Sequence, residues 1–342
     1  MDQNAPEQKP ALPAWIRPAC VGACLFFTGL AGGLLLERAL HDFRHDRRPD
    51  AEFHLRSSYR YINPLLECNQ EQENGLLEFG PSERAVRSLI EQLKKGGDIQ
   101  TAAVYFRDLN NGPWFGIKED MPFGPASLLK LAHAIAAYKQ EEERPGTLQR
   151  RIRYDRVLGP DVQFVKPAET LAVGATYTVE ELVRRMVVHS DNASLLLLQR
   201  ELTGEAVKNV YVDLGIEFDE RKELSARSYA TLLRVLFNAS YLTKNDSERL
   251  LGLLSESDYK DGLRAGVPAD VPIAHKFGER ALRDPYNQLH DCGIVYYPRH
   301  PYLLCVMTRG MSYEKLSHAI AAVSETVYRE IRLHYANTDR VH

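Results

Sequence analysis

Ser127 and Lys130 are the side chains whose types and spacing best suit covalent chemistry. They stand at the start of a predicted helix, one turn apart on the same face. A lysine can take the proton of a serine nucleophile when desolvation or nearby positive charge lowers the lysine pKa. The helix N-terminus also presents backbone N–H groups that suit an oxyanion. The pair predicts nucleophilic catalysis, but S-x-x-K alone is a common pattern.

Two further polar motifs follow, S-D-N at 190–192 and K-F-G at 276–278. The first interrupts a helical stretch, where short polar residues favour a turn. The second lies in the strand-like run IAHKFGER. Each motif has a structural alternative: a helix N-cap and a solvated charge for S-x-x-K, an ordinary turn for S-D-N, and a surface strand for K-F-G. Their combination in this order favours a shared site.

Through these motifs the chain resembles the serine β-lactamase and penicillin-binding-protein superfamily, whose signatures in chain order are S-x-x-K, S-D-N and K-T-G or K-S-G. The resemblance runs from about Ser82 to Leu333. The class A β-lactamase-like branch is the most similar, because the triplet is S-D-N and the helical segment ASLLLLQRELTG follows it. The resemblance implies an acyl-enzyme mechanism and neither a metal ion nor an organic cofactor.

The resemblance also implies a role for each matched residue. Ser127 would be the acylated nucleophile and Lys130 its proton acceptor, directly or through a water. Ser190 would relay a proton to the leaving nitrogen, and Lys276 would attract the substrate carboxylate. The other matched residues are Asn192, which would bind the acyl-side amide; Asp191, which would hold the loop; Gly278, in the strand motif; and Glu279, whose backbone N–H would form the oxyanion hole with that of Ser127.

The chain departs from the family pattern in two places. Phe277 replaces the hydroxyl residue that helps to bind the substrate carboxylate, which weakens the β-lactam assignment. No E-x-x-L-N stretch, whose Glu activates the deacylating water in class A enzymes, follows Asn192. By their position in the sequence alone, three carboxylates are candidates for the deacylating base: Glu217, Glu220 and Glu223. Three histidines near the motifs are candidates for proton carriers: His189, His275 and His290. The histidines are more simply explained as satisfied polar residues at strand or loop ends.

The elements around the motifs predict an α/β (α+β) fold, in which helices cover an antiparallel sheet and an all-helical lobe is inserted. A capped helix begins at Ser82, and an N-G turn at 110–112 joins the strands of a hairpin. The other predicted elements are helices at 126–138, 226–237, 247–255 and 317–333, two helices within 177–202 that are broken at 189–192, and three strands, IAHKFGER, HDCGIVYYP and YLLCVMTRG.

Charge and cysteine content exclude several classes of protein. With 43 basic residues against 46 acidic ones, the chain lacks the basic surface that binds nucleic acid. The five cysteines include no C-x-x-C pair, which argues against a zinc site or a thioredoxin-like motif. Cys292 and Cys305 are predicted to be reduced thiols packed within the sheet.

The first 60 residues predict a membrane anchor. Residues 18–36, PACVGACLFFTGLAGGLLL, carry no charge and suit one transmembrane helix. No cleavage site follows them, so an uncleaved anchor is favoured over a signal peptide. Residues 1–17 would be an N-terminal tail, 37–60 a polar linker and 61–342 the catalytic domain. Gly29 and Gly33 have the spacing of a helix-mediated dimer, which is also common in other membrane helices.

The side of the membrane and the substrate follow from the resemblance. More arginines follow the apolar segment than precede it, which would place the domain in the cytoplasm. Because β-lactams and cell-wall peptides lie outside, the catalytic domain is predicted on the extracytoplasmic side of the cytoplasmic membrane.

Three functions remain open at this point. The first is a class A β-lactamase-like hydrolase of β-lactam or amide bonds, and the second is a D-alanyl-D-alanine peptidase or transpeptidase that acts on peptidoglycan. The third is a slow or inactive penicillin-binding sensor or a cell-wall-binding module. The intact Ser-Lys and Ser-Asn pairs argue against the third.

Overall fold

Two layers of helices enclose a sheet in the computed structural model, which describes residues 59–64, 79–110, 112–158, 163–217, 223–282 and 284–338. The predicted tail, transmembrane helix and nearly all of the linker lie outside these ranges, as do the pair Gly29 and Gly33. None of the helices that the structure describes is long and apolar enough to cross a membrane. The anchor stays a prediction.

The described elements follow the chain in this order. They are α1 Gly80–Lys95, β1 Thr101–Asp108, β2 Trp114–Ile117, a 3-10 turn Ala126–Leu128, α2 Leu129–Glu143, β3 Arg151–Arg153, β4 Thr176–Thr178, α3 Val179–Val188, α4 Asn192–Leu198, α5 Gly204–Asp213, α6 Ala226–Phe237, α7 Lys244–Ser255, a second 3-10 turn Leu263–Gly266, β5 Ile273–Ala281, β6 Asn287–Val295, β7 Tyr302–Gly310 and α8 Tyr313–Thr338.

Five strands form one antiparallel sheet in the order β2-β1-β7-β6-β5. The predicted N-G turn joins β1 to β2, and Gly112 there adopts a φ of 84°, which glycine tolerates best. Every residue of β1 is buried because helices cover both faces of the sheet. This arrangement confirms the predicted α+β fold and leaves β5 at an edge of the sheet.

Successive side chains along each strand point to opposite faces of the sheet, so they pack into two apolar cores. One core lies between the sheet and the terminal helices α1 and α8, where Val86 and Ile320 are buried. The other lies between the sheet and the helical lobe, in which α2 is almost surrounded. The run of Ala and Leu in α2 has no amphipathic pattern because this helix is buried on nearly all sides.

The predicted break in the helical lobe is confirmed. α3 ends at Val188 and α4 begins at Asn192, so the S-D-N triplet forms the turn between them. The helix α5 and the ribbon of β3 and β4 were not predicted.

The prediction of two reduced cysteines in the sheet is wrong. Cys292 in β6 and Cys305 in β7 are register partners, with Cα atoms 3.9 Å apart, and they form a disulfide. Both side chains face the helical lobe and are fully buried. The error arose because the register of β6 against β7 decides whether the two thiols meet, and composition does not give that register.

Candidate active site

Ser127 lies in the 3-10 turn that leads into α2. The chain enters this turn through Ala126, whose φ of 50° is uncommon for a residue with a Cβ. The Leu128 N–H donates to the Pro125 carbonyl at 2.9 Å and closes the turn. A Cβ on Gly278 of β5 would lie 2.8 Å from the Pro125 oxygen and 2.9 Å from the Leu128 nitrogen. Gly278 therefore allows the edge strand to pack against the serine turn.

Lys130 follows one turn later and is only 1% exposed. Its ammonium donates to the Ser190 carbonyl, to the Ser190 hydroxyl at 3.1 Å and to Asn192 Oδ1 at 2.8 Å. Burial lowers the pKa of Lys130 from 10.5 to about 7, and the carboxylates of Asp191 and Glu279 oppose that shift only in part. A lysine with this pKa can accept a proton near neutral pH.

The S-D-N turn is fixed by its own aspartate. Asp191 caps α4 by accepting the N–H groups of Ala193 and Ser194 at 3.1 and 2.9 Å. Ser190 is fully buried and adopts a φ of 55°, which is uncommon for a residue with a Cβ. Asp191 thus occupies the place expected of a residue that holds the loop.

Lys276 reaches Ser190 from the edge strand. Its side chain is 0% exposed and donates to the Ser190 hydroxyl and to the Phe277 carbonyl, both at 2.9 Å. Burial, and then the positive charge of Lys130, lower the pKa of Lys276 well below its ordinary value. Because the Ser190 oxygen accepts from both lysines, its own proton is left for a third partner.

Phe277 does not enter the cleft. It is buried in the core on the α8 face of the sheet and lies against Tyr259, with ring centroids 4.4 Å apart. The residue that replaces the family hydroxyl is thus a packing residue in this chain.

Residues 163–165, which we call the bridging segment, contact both walls of the cleft. Gln163 Nε2 donates to the Ser190 carbonyl at 3.2 Å. The Val165 N–H donates to the Glu279 carboxylate, at 3.1 and 3.2 Å from its two oxygens. No sequence pattern predicts a role for these residues, because a loop without a motif gives no signal of the contact it makes.

The Glu279 side chain was also missed, since only its backbone N–H had been assigned a role. Burial raises the pKa of the Glu279 carboxyl, and the N–H groups of Val165 and Phe164 and the charges of the two lysines oppose the rise. The neighbouring Phe164 ring stacks on Tyr313 at the start of α8, with centroids 4.7 Å apart and planes 19° apart. The bridging segment therefore rests on two elements of the sheet side.

His290 lies beneath the serine turn. Its Nε2 donates to the Gly124 carbonyl at 3.1 Å and its Nδ1 accepts the Thr308 N–H at 3.2 Å. Burial lowers the pKa of His290 to about 4, so the ring is neutral at physiological pH. Both ring nitrogens are engaged in holding the approach to Ser127.

Among the described residues, no hydrogen bond joins Glu217, His189 or His275 to Ser127 or Lys130, and Glu223 is half-buried. Glu217 is exposed, and Glu220 lies outside the described ranges. The imidazoles of His189 and His275 contact the carboxylates of Asp258 and Asp291 instead.

Comparison with known proteins agrees with this geometry. A profile of the β-lactamase enzyme family matches residues 82–331. The chain is 30% identical over 226 residues to a β-lactamase of Streptomyces lavendulae, which covers 60% of this chain and 72% of that protein. It is 26% identical over 250 residues to the carbapenem-hydrolyzing β-lactamase KPC of Klebsiella oxytoca, which covers 67% and 82%.

Solved structures show the same fold. A β-lactamase from Chitinophaga pinensis has a TM-score of 0.65 at 21% identity, over 73% of this chain and 99% of that one. The L158E mutant of PBP-A, in an acyl-enzyme complex with penicillin G, has a TM-score of 0.61 at 22% identity, over 73% of this chain and 97% of that one. With a profile match over most of its length, and with Lys130, Ser190, Asn192 and Lys276 of its three motifs joined by hydrogen bonds, the chain belongs to the β-lactamase enzyme family, and it is a serine hydrolase that acts on β-lactam or amide bonds.

Proposed function

We propose that this enzyme forms an acyl-enzyme on Ser127, with Lys130 as the base, and that its acyl donor is a β-lactam. The observation that carries the proposal is the burial of Lys130 one turn after Ser127, which gives it a pKa of about 7. A lysine on an exposed helix face would stay protonated and could not accept the serine proton.

In the proposed mechanism, Lys130 and Ser190 carry the protons. The neutral Lys130 amine takes the Ser127 proton while the serine oxygen bonds to the carbonyl carbon. The backbone N–H groups of Ser127 and Glu279 hold the oxyanion. When the C–N bond breaks, Ser190 gives its proton to the leaving nitrogen and recovers one from the Lys130 ammonium, 3.1 Å away.

The lack of an identified base for deacylation favours a second candidate function, a peptidase or transpeptidase. The sequence has no E-x-x-L-N stretch, and Glu217 is exposed. Lys130, neutral again after the relay, is then the base for the incoming water, and turnover is slow. A D-alanyl-D-alanine peptidase or transpeptidase uses the same acylation step on peptidoglycan. The lack of a dedicated carboxylate that activates the deacylating water is less of a difficulty for such an enzyme.

The proposal includes a catalytic domain held outside the cytoplasmic membrane by residues 18–36. The disulfide between Cys292 and Cys305 supports that side, because disulfides persist in oxidising compartments. Protease added to intact cells should degrade the catalytic domain if it lies outside, and should leave it whole if it lies in the cytoplasm.

Intact-mass spectrometry of the full chain with benzylpenicillin, followed over time, tests the chemistry. An adduct that is absent from Ser127→Ala confirms the nucleophile. Its decay with release of hydrolysed drug identifies a β-lactamase, whereas a persistent adduct favours the peptidase, the transpeptidase or a penicillin sensor. If Ser127→Ala still acquires the adduct, the proposed nucleophile is wrong.

A further inference from the structure

Arg280 is an exposed cation beside the serine turn that the acylation steps do not use. Side chains two residues apart on a strand share a face, so Gly278 and Arg280 of β5 lie on the face from which Lys276 reaches Ser190. A Cβ on Gly278 would meet the backbone of the serine turn, which packs on this same face. At about 3.3 Å per residue, Lys276 and Arg280 therefore lie about 7 Å to either side of Gly278 along the strand.

The Arg280 side chain lies against the chain that approaches Ser127. A Cβ on Gly124, in the segment just before the serine turn, would lie 3.3 Å from Arg280 Cδ and would clash with Nη1. Gly124 thus makes room for the guanidinium, as Gly278 makes room for the turn. Because the Arg280 side chain is exposed, a ligand can still reach its charge.

Among the described residues, no carboxylate forms an ion pair with Arg280. The Asp284 carboxylate, which follows β5 in the chain, pairs with Arg309 instead. Glu279 points to the opposite face of β5, where its carboxylate accepts the Val165 N–H. The positive charge of Arg280 is therefore not neutralised by a neighbouring side chain.

Gln288 brings a second polar group to the same place. It is the register partner of Arg280 in β6, and it is only 7% exposed. Its Oε1 lies 3.1 Å from the position of a Cβ on Gly124 and has no hydrogen-bond partner among the described residues. Buried polar atoms in proteins are nearly always paired. A polar substituent that enters here would meet an unpaired guanidinium and an amide with unused hydrogen-bonding capacity.

The contacts of Ser190 indicate which part of a substrate lies at each end of β5. In the proposed mechanism Ser190 protonates the leaving nitrogen, and Lys276 donates to Ser190 at 2.9 Å. The leaving group therefore lies at the Lys276 end of the strand, and the carbonyl carbon lies at Ser127. The acyl side of the donor then extends in the opposite direction, past Glu279 and toward Arg280.

We infer that Arg280, with Gln288 beside it, binds an anionic substituent on the acyl side of the donor, which makes the enzyme selective for acyl groups that carry a carboxylate. The inference rests on the proposed function, because it concerns the donor that acylates Ser127. A guanidinium offers a carboxylate two parallel hydrogen bonds, which are stronger than those between neutral groups. The carboxylate on the leaving side of a β-lactam is a separate group, at the Lys276 end of the strand.

Two penicillins that differ by one carboxylate test the inference. Benzylpenicillin and α-carboxybenzylpenicillin share the ring system with its own carboxylate, and the second carries another carboxylate on the acyl side chain. The second-order rate of Ser127 acylation by each is measured on the full chain by intact-mass spectrometry. We expect Arg280→Gln to lower the ratio of the α-carboxy rate to the benzylpenicillin rate roughly tenfold, about 1.4 kcal/mol, because a neutral amide does not attract the added charge.

Two further variants separate this contact from a general effect of charge. Arg280→Lys keeps the charge but not the paired donors, and should lower the ratio by less than Arg280→Gln does. Arg332→Gln removes the same charge from an exposed position in α8, on the other face of the sheet, and should keep the wild-type ratio. A ratio that Arg280→Gln leaves unchanged, or that Arg332→Gln lowers equally, would overturn the inference and leave the proposed function standing. If neither probe forms a Ser127 adduct, the proposed function is wrong and the inference fails with it.

Discussion

Ser190 accepts hydrogen bonds from Lys130 and Lys276 at 3.1 and 2.9 Å, and all three side chains are buried. Two ammonium groups held so near one hydroxyl in a dry cleft cannot both keep their full charge. Burial, together with the charge of Lys130, lowers the pKa of Lys276, and burial lowers the Lys130 pKa to about 7. The pair therefore combines an amine that is set for proton transfer with a second that orients the relay hydroxyl.

The first residue-scale prediction concerns pH. Because Lys130 must be neutral to accept the serine proton, the second-order rate of Ser127 acylation should rise with pH, with a midpoint at about 7, and level off above it. The measurement is the acylation rate across roughly pH 5.5 to 9, within the range where the protein stays folded.

Lys130→Ala should abolish this acylation while thermal unfolding stays cooperative. Lys139→Ala, on the same helix but partly exposed and paired with Glu142, is the matched control and should keep the wild-type profile. A rate that does not change with pH, or normal acylation of Lys130→Ala, would remove this lysine from the mechanism.

Sequence alone identified the side chains whose chemistry is tied to a motif, and the structure brings Ser190, Asn192 and Lys276 around Lys130. It did not identify the hydrogen bond between the Val165 N–H and the Glu279 carboxylate. The two residues are far apart in the chain, and long-range pairing of a single carboxylate leaves no local pattern.

At the scale of elements, the bridging segment 163–165 narrows the cleft. It binds the S-D-N turn through Gln163 and the edge strand through Val165. Its central ring, Phe164, is 52% exposed and held by stacking on Tyr313. A substrate that reaches Ser127 between these two walls must pass beside the segment or displace it.

Removal of the Phe164 ring should loosen the segment, because a stacked aromatic pair contributes about 0.5–1.5 kcal/mol. We expect Phe164→Ala to increase the acylation rate with benzylpenicillin by up to roughly tenfold. Val173→Ala, which shortens an apolar side chain of the same loop that is 56% exposed, should have no effect. A fall in the acylation rate of Phe164→Ala would instead mean that the ring contacts the substrate.

Some elements could be predicted because local sequence patterns mark them, and others could not. Helix α6 has the predicted bounds, Ala226–Phe237, because its apolar residues recur on one face, and the structure shows that Ser225 caps it. Helix α5 was missed although Thr203 caps it in the same way, so that signal was present and overlooked. Strands β3 and β4 have three residues each, and their pairing of Arg151 with Thr178 is too distant in sequence for a local pattern.

At the scale of the whole molecule, the fold class follows from the order of the elements, whereas the disulfide that links two strands of the sheet does not. An antiparallel sheet covered by helices, with an inserted helical lobe, is predicted from the order helix, hairpin, helical section, strands and final helix. The structure places the terminal helices on one face of that sheet and the lobe on the other. The bond between Cys292 and Cys305 links β6 to β7 beneath the lobe, next to the strand that carries Lys276. It depends on strand register, which sequence pattern leaves open when both faces of a strand are buried.

The disulfide gives the last prediction. It closes a loop with a sequence separation of 13 residues, so its removal should lower the free energy of unfolding by about 3 kcal/mol. Denaturant unfolding of the wild type and of the double variant Cys292→Ala, Cys305→Ala measures that loss. Thiol titration of the two denatured, unreduced proteins is the control: a bonded pair contributes no thiol, so both proteins should give the same count. If the wild type shows two thiols more than the double variant, the cysteines are reduced in the protein and the bond makes no contribution to its stability.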